Sequence, residues 1–188
     1  MINKILTIPE FSLILLVGVS GAGKTTFACK NFHPTQVLTS DKFRAMISDN
    51  ENCMECSRDA FEVLYSITQK RLSRRLLTVI DATNIQDYGR RQLLDFAQEH
   101  GAAPVAIVFN IPEDVCIERT LRRTDRPIPL DILQKHFQEF HETLELIPTE
   151  GFHSIYILDG QEAAETALVS ISSPQLAPVE EVGARLFQ

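Results

Sequence analysis

An α/β fold with a mainly parallel sheet is predicted by two features of this 188-residue chain. The run "SLILLV" (12–17) is almost wholly apolar, as expected of a central strand buried on both faces, and a glycine-rich turn follows directly. Further short apolar runs then alternate with longer stretches of helical periodicity, the pattern of strands joined by crossover helices.

In chain order, the predicted strands are 12–17, "QVLTS" (36–40), "LLTVIDA" (76–82), "PVAIVFN" (104–110) and "HSIYIL" (153–158). Helices are predicted near 24–31, 58–75, 87–100 and 112–123. A fifth spans about 129–147, where Leu130, Leu133, Phe137, Phe140, Leu144 and Ile147 recur every three or four residues. From residue 160 the periodicity fades into a segment rich in Ala, Glu, Ser and Pro. The expected organisation is a domain over 1–160 and a C-terminal extension or linker over 161–188.

A hydrophobic fraction of 44% and a charged fraction of 23% are those of an ordinary globular chain, long enough to bury a core. Net charge of −7 argues against coating nucleic acid through a broad basic face, though not against gripping one strand end in a local pocket. Cys53 and Cys56, in "CMEC", are half of a zinc-like pattern with no second close pair, so they read as incidental thiols. Pro9 and Glu10 break the N-terminal apolar run to strand length, far below the roughly 20 residues of a membrane span. No membrane association and a cytoplasmic location are therefore expected. A homo-oligomer is compatible with the sequence.

"GVSGAGKT" (18–25) matches G-x-x-x-x-G-K-[ST] in full, between a strand and a helix. Gly18, Gly21 and Gly23 permit the tight path that points successive N–H groups at phosphate oxygens. Ser20, Ala22 and Thr26 complete the expected cradle, and the helix N-terminus adds a favourable dipole. Lys24 is placed for the β and γ phosphates, and Thr25 offers a hydroxyl to Mg²⁺. ATP and Mg²⁺ are the expected cofactors. No Asn-Lys-x-Asp base reader marks a GTPase. Asp81 ends its strand as a motor ATPase would require, but the chain is short for an oligomeric motor. A small phosphotransferase is the leading expectation, with a nucleotide-binding regulatory module as an alternative.

Three further segments bear on the acceptor. In "VLTSDKFR" (37–44), Asp41 follows the second strand and Arg44 lies one helical turn on. Position alone is compatible with two roles: Asp41 or Ser40 as a helix cap, or Asp41 as a base for a substrate hydroxyl. "RTLRRTDRP" (119–127) carries Arg119, Arg122, Arg123 and Arg126, all arginines suited to bidentate phosphate contact, in an expected lid over about 119–130. "DATN" (81–84) closes the third strand at the same rim. Lys70, Arg71, Arg74 and Arg75 read as a solvated helix face.

Together, "GVSGAGKTTFA", "SDKFR", "VIDATN", "PVAIVFNIPEDVCIERTLRRTDR" and "GFHSIYIL" resemble the kinase domain of bacterial polynucleotide kinase-phosphatase, over about residues 11–160. The resemblance implies a P-loop NTPase fold with a five-stranded sheet flanked by helices and an Arg-rich lid. It implies ATP-dependent phosphorylation of a nucleic acid 5′-hydroxyl end, in RNA or DNA repair. Lys24, Asp41, Arg44 and Arg123 would then be catalytic, with Asp41 the general base and Arg44 the contact to the substrate phosphate. Arg119, Arg123 and Arg126 would clamp ATP phosphates, and Arg122 falls off that register. The alternative is a small-molecule hydroxyl kinase of the same fold, acting on a sugar, metabolite or antibiotic.

Overall fold

The computed structural model describes residues 4–123 and 128–172. Its centre is a five-stranded sheet of β2 (Ser12–Val17), β3 (Val37–Thr39), β4 (Thr78–Asp81), β5 (Ala103–Asn110) and β6 (Ser154–Asp159), in the order β3-β4-β2-β5-β6. Every pairing is parallel. All six residues of β2, the middle strand, are buried, which is why its sequence shows no alternation.

The connections are α1 (Lys24–Asn31), α2 (Ser40–Ser48), α3 (Ser57–Leu72), α4 (Asp87–His100), α5 (Glu113–Leu121) and α6 (Leu130–Leu146). The stripe expected on α6 faces inward: Leu133, Phe137, Phe140 and Ile147 are buried and Leu144 packs against the core, while Leu130 is exposed at the helix start. Phe27 of α1 meets Phe109 of β5 edge-on at 5.3 Å, fixing the first helix on the sheet.

Four features differ from the sequence expectation. Residues Ile5–Pro9 form a strand, β1, that pairs in parallel with β7 (Leu168–Ser172). The extension expected from 161 therefore begins as folded structure: α7 (Gly160–Thr166) leads into β7, and 173–188 lies outside the described residues. A two-stranded pairing of residues 163 positions apart has no local signature. Tyr156 Oη of β6 donates to the Thr7 carbonyl and holds β1 against the sheet.

The basic cluster on α3 is not simply a solvated face. Arg71 donates from Nη2 to the Leu77 carbonyl at 2.8 Å and from Nε to Thr78 Oγ1 at 3.2 Å, clamping the start of β4. Arg75, in the left-handed region at φ 55°, lays its guanidinium 4.4 Å above the Phe11 ring. Arginine's reach and planar head allow both contacts from a helix end.

Cys53 and Cys56 are not incidental thiols: they are joined in a disulfide within the 3₁₀ turn between α2 and α3. Cys29 is exposed and Cys116 buried. Burial pushes the Cys116 thiol up to about 11, so it stays protonated and inert at neutral pH. Among the described residues no cluster of three His, Cys, Asp or Glu side chains is arranged for a metal ion, and no helix is long and apolar enough to cross a membrane. Thiol titration of the folded protein at pH 8 without reductant is expected to find one fast thiol, Cys29. Cys53 and Cys56 should appear only after reduction, and Cys116 only on unfolding.

Candidate active site

Parallel pairing brings three strand ends to one rim. Thr39 of β3 and Leu16 of β2 both align with Asp81 of β4. The chain leaving β2 becomes the phosphate loop, the chain leaving β3 becomes α2 with Asp41 and Arg44, and β4 ends on Asp81 itself. In open parallel sheets this is the edge where ligands bind.

The loop is packed as its glycines require. Gly21 has φ 82°, and a Cβ there would sit 2.4 Å from the Cys116 carbonyl oxygen and 2.7 Å from Thr120 Oγ1, so only glycine fits under α5. Gly23 adopts the left-handed conformation as the N-cap of α1, turning the loop into the helix. Gly18 donates its N–H to the Thr83 carbonyl at 2.9 Å, tying the loop to the segment after β4. Ser20 is half-buried, Ala22 buried, and Thr25 and Thr26 are exposed at the helix start.

Lys24 is largely buried and donates from Nζ to the Gly18 and Val19 carbonyls, both at 2.8 Å, so its ammonium lies inside the loop. Thr25 Oγ1 donates to Asp81 Oδ2 at 2.8 Å. Asp81 thus stands against the phosphate loop, though reading by motif alone left it out of the binding set. Its signal was legible: an acid ending an apolar strand, in "TVIDAT". Burial raises the Asp81 carboxyl above the usual carboxylate range, while Lys24, the Thr25 hydrogen bond and Lys42 of α2 act in the opposite direction.

At the start of α2, Arg44 Nη2 pairs with Asp41 Oδ1, and Arg44 Nε donates to the Glu51 carbonyl at 2.7 Å. The Arg44 side chain is 4% exposed and that of Asp41 22%. Burial lowers the Arg44 pKa, with Glu51 opposing. The N-cap of α2 is Thr39, whose side chain makes no capping bond, and Ser40 Oγ donates to Asp41 Oδ1 at 3.3 Å. The N-cap position itself is thus held by neither Ser40 nor Asp41. The carboxylate faces an arginine instead.

Arg119 of α5 lies by the phosphate loop, with Nη1 3.8 Å from where a Cβ on Gly23 would stand. It is also paired with Glu165 of α7 at 2.9 Å, a partner from the segment expected to be a linker. Arg122 is exposed and paired with Glu118. Arg123 is exposed just beyond the end of α5, its N–H donating to the Thr120 carbonyl at 3.2 Å. Arg126, and with it the centre of the expected lid, lies outside the described residues.

The environment of Asp81 makes stability depend on pH with a definite sign. With its pKa raised in the fold, the folded chain holds this proton more tightly than the unfolded chain. The penalty for ionisation is absent below the ordinary carboxylate range and grows as pH rises through the raised value. Asp81→Asn should therefore melt higher than wild type at neutral pH in metal-free, nucleotide-free buffer, and the difference should vanish in acid. Thermal melts across that range measure it.

Comparison with known proteins accords with this fold. Among solved structures the chain is similar to one from the Pnkp1/Rnl/Hen1 RNA repair complex, with 25% identity and a TM-score of 0.61 over 74% of this chain and 46% of that one. It thus spans less than half of that relative's length. Kti12 from Chaetomium thermophilum, solved with ADP-AlF3, is 17% identical with a TM-score of 0.58, covering 78% of this chain and 88% of its own. A chain of the PezAT toxin–antitoxin system of Streptococcus pneumoniae is 19% identical with a TM-score of 0.60, covering 87% and 71%. These last two likenesses bear on the fold alone. Residues 13–147 match the model of a family described as an AAA domain, and with its nucleotide-binding loop on a kinase-like parallel sheet the chain belongs to that family.

Proposed function

We propose that the protein is a polynucleotide 5′-hydroxyl kinase, transferring the γ-phosphoryl group of ATP to a nucleic acid end in repair. The observation that carries the reading is the Asp41–Arg44 pair, a carboxylate held against a buried guanidinium on the rim shared with the phosphate loop. A kinase needs a base beside the acceptor hydroxyl. An arginine fork beside that base suits an acceptor that brings its own phosphate, as a polynucleotide end does.

Two oxygens 2.8 Å apart, Thr25 Oγ1 and Asp81 Oδ2, form a hard donor pair of the kind Mg²⁺ takes with substrate phosphates. Thr25 would hold the ion directly and Asp81 would orient that shell. When bound, Mg²⁺ neutralises charge on the β and γ phosphates. The chain's own groups do the rest. Lys24 would turn from its loop carbonyls to the phosphates. Arg44 would take the acceptor phosphate, loosening its hold on Asp41. Asp41 then accepts the hydroxyl proton as that oxygen bonds to the γ-phosphorus and the bond to the bridging oxygen breaks, ADP leaving with the electron pair. Arg119, Arg123 and Arg126 would stabilise the transferring charge.

One observation favours a second reading. Arg44 already has two acceptors, Asp41 and the Glu51 carbonyl, so a substrate phosphate must compete for it. A neutral small-molecule hydroxyl would need no such exchange. Incubation with labelled ATP, a 5′-hydroxyl oligonucleotide and a panel of sugars and metabolites separates the two. Label is expected on the oligonucleotide. Label on a metabolite alone rejects the reading, and label on nothing leaves a nucleotide-binding regulatory module.

Two substitutions probe the roles. Asp41→Asn is expected to lower kcat by roughly 10²–10⁴ with ATP binding nearly intact; an unchanged rate sinks its role as base. Arg123→Ala should lose a factor on the order of 10³ in kcat, on the scale of arginine fingers. A loss confined to the acceptor KM would move Arg123 to the acceptor side.

A further inference from the structure

Behind the rim lies a buried arginine that the transfer chemistry does not use. Arg90 of α4 is completely inaccessible. Its Nε donates to Glu150 Oε2 at 2.8 Å and its Nη2 to Glu150 Oε1 at 2.5 Å, a two-pronged grip on the segment after α6. Its Nη1 donates to the Asn84 carbonyl at 2.9 Å and to Thr143 Oγ1 at 3.1 Å. Thr143, on α6, donates in turn to the Ile85 carbonyl at 2.7 Å.

The carbonyl that Arg90 holds belongs to a residue in an unusual position. Asn84 has φ 49°, in the left-handed region, and its Nδ2 donates to the Leu16 carbonyl at 2.8 Å and the Ile80 carbonyl at 3.3 Å. One side-chain amide thus bridges the ends of β2 and β4. The neighbouring Thr83 carbonyl receives the Gly18 N–H. The turn at Asn84 therefore sets where the phosphate loop leaves β2 relative to where Asp81 ends β4.

A buried ion pair is a poor source of stability, since apolar residues of the same volume often serve as well. What the guanidinium supplies that an apolar side chain does not is direction. Three nitrogens fix one carboxylate and one carbonyl in a plane, pinning the Asn84 turn against α6. Lysine keeps the charge and loses the fork.

We infer that Arg90 is a positioning residue: held by Glu150, it fixes the Asn84 turn and so the Thr25–Asp81 spacing on which Mg²⁺-assisted nucleotide binding depends. The inference rests on the reading that this pair serves Mg²⁺ with ATP, and not on the identity of the acceptor.

The test is binding of a fluorescent ATP analogue titrated with Mg²⁺, with no acceptor present, for wild type, Arg90→Lys and Asn84→Gly. Glycine keeps the left-handed turn and removes the bridging amide. Circular dichroism first establishes that each variant is folded, and titrations are made well below its Tm. The Mg²⁺ concentration for half-maximal binding should rise roughly 10-fold or more in either variant, the scale on which partners of metal ligands act. Metal-free binding should fall by a clearly smaller factor than Mg²⁺-supported binding, and the double variant should be no worse than the worse single one. Wild-type Mg²⁺ midpoints in folded variants would overturn the inference, as would losses that are equal with and without Mg²⁺, or additive losses. If Arg90→Lys does not fold, Asn84→Gly carries the same expectation. Wild-type binding indifferent to Mg²⁺ overturns it too. Absence of label on a 5′-hydroxyl oligonucleotide overturns only the acceptor assignment and leaves this titration standing.

Discussion

The alignment of Thr39, Asp81 and Leu16 across three parallel strands is the constraint on which the rest of the site depends. Parallel pairing puts every strand's C-terminal end at the same edge, so groups from residues 16 to 84 meet without any long loop being ordered to bring them there. A shift of β4 by one residue would turn Asp81 to the opposite face and separate it from Thr25. The close packing on both faces of β2, β4 and β5 opposes that shift, because each displaced side chain would have to be refitted against the opposite layer.

Polar groups at this rim are held at a cost the core must offset. Asp81, Lys24, Arg44 and Arg90 are all buried or nearly so, and each has identifiable partners at short range. Leaving any such group unpaired would cost on the order of 1–3 kcal/mol or more, a large part of a domain's net stability. The partners come from distant elements: Glu150 for Arg90, Glu165 for Arg119, the Glu51 carbonyl for Arg44. The site and the fold are thus stabilised by the same contacts. The close seating of α5 on Gly21 adds a direct link between the helix that carries the arginines and the phosphate loop.

Much of the fold was legible because its signals are local. The run 12–17 announces a doubly buried strand, and the stripe on α6 announces its inward face, since burial leaves its period in the sequence. The phosphate loop was legible for a related reason: each glycine answers a backbone demand that other residues meet only with strain. The pairing of β1 with β7 left no such trace, being a contact between segments 163 positions apart. Nor did the tasks of Arg71 and Arg75, since a charged helix end reads the same whether its arginines face water or clamp a neighbouring strand.

For the site, the chain by itself determined which residue types are available and in what local order: a nucleotide loop, an Asp and an Arg one turn apart, an acid at a strand end, and an arginine run. The tertiary structure decided which of them meet. It joined Thr25 to Asp81 over 56 positions and Arg90 to Glu150 over 60, closed Arg44 onto Asp41, and drew Glu165 up to Arg119. Local sequence encodes conformational preference and period, so it could specify the pieces. Partner choice between distant polar groups depends on strand register and on where helices pack, and those are set only when the core closes.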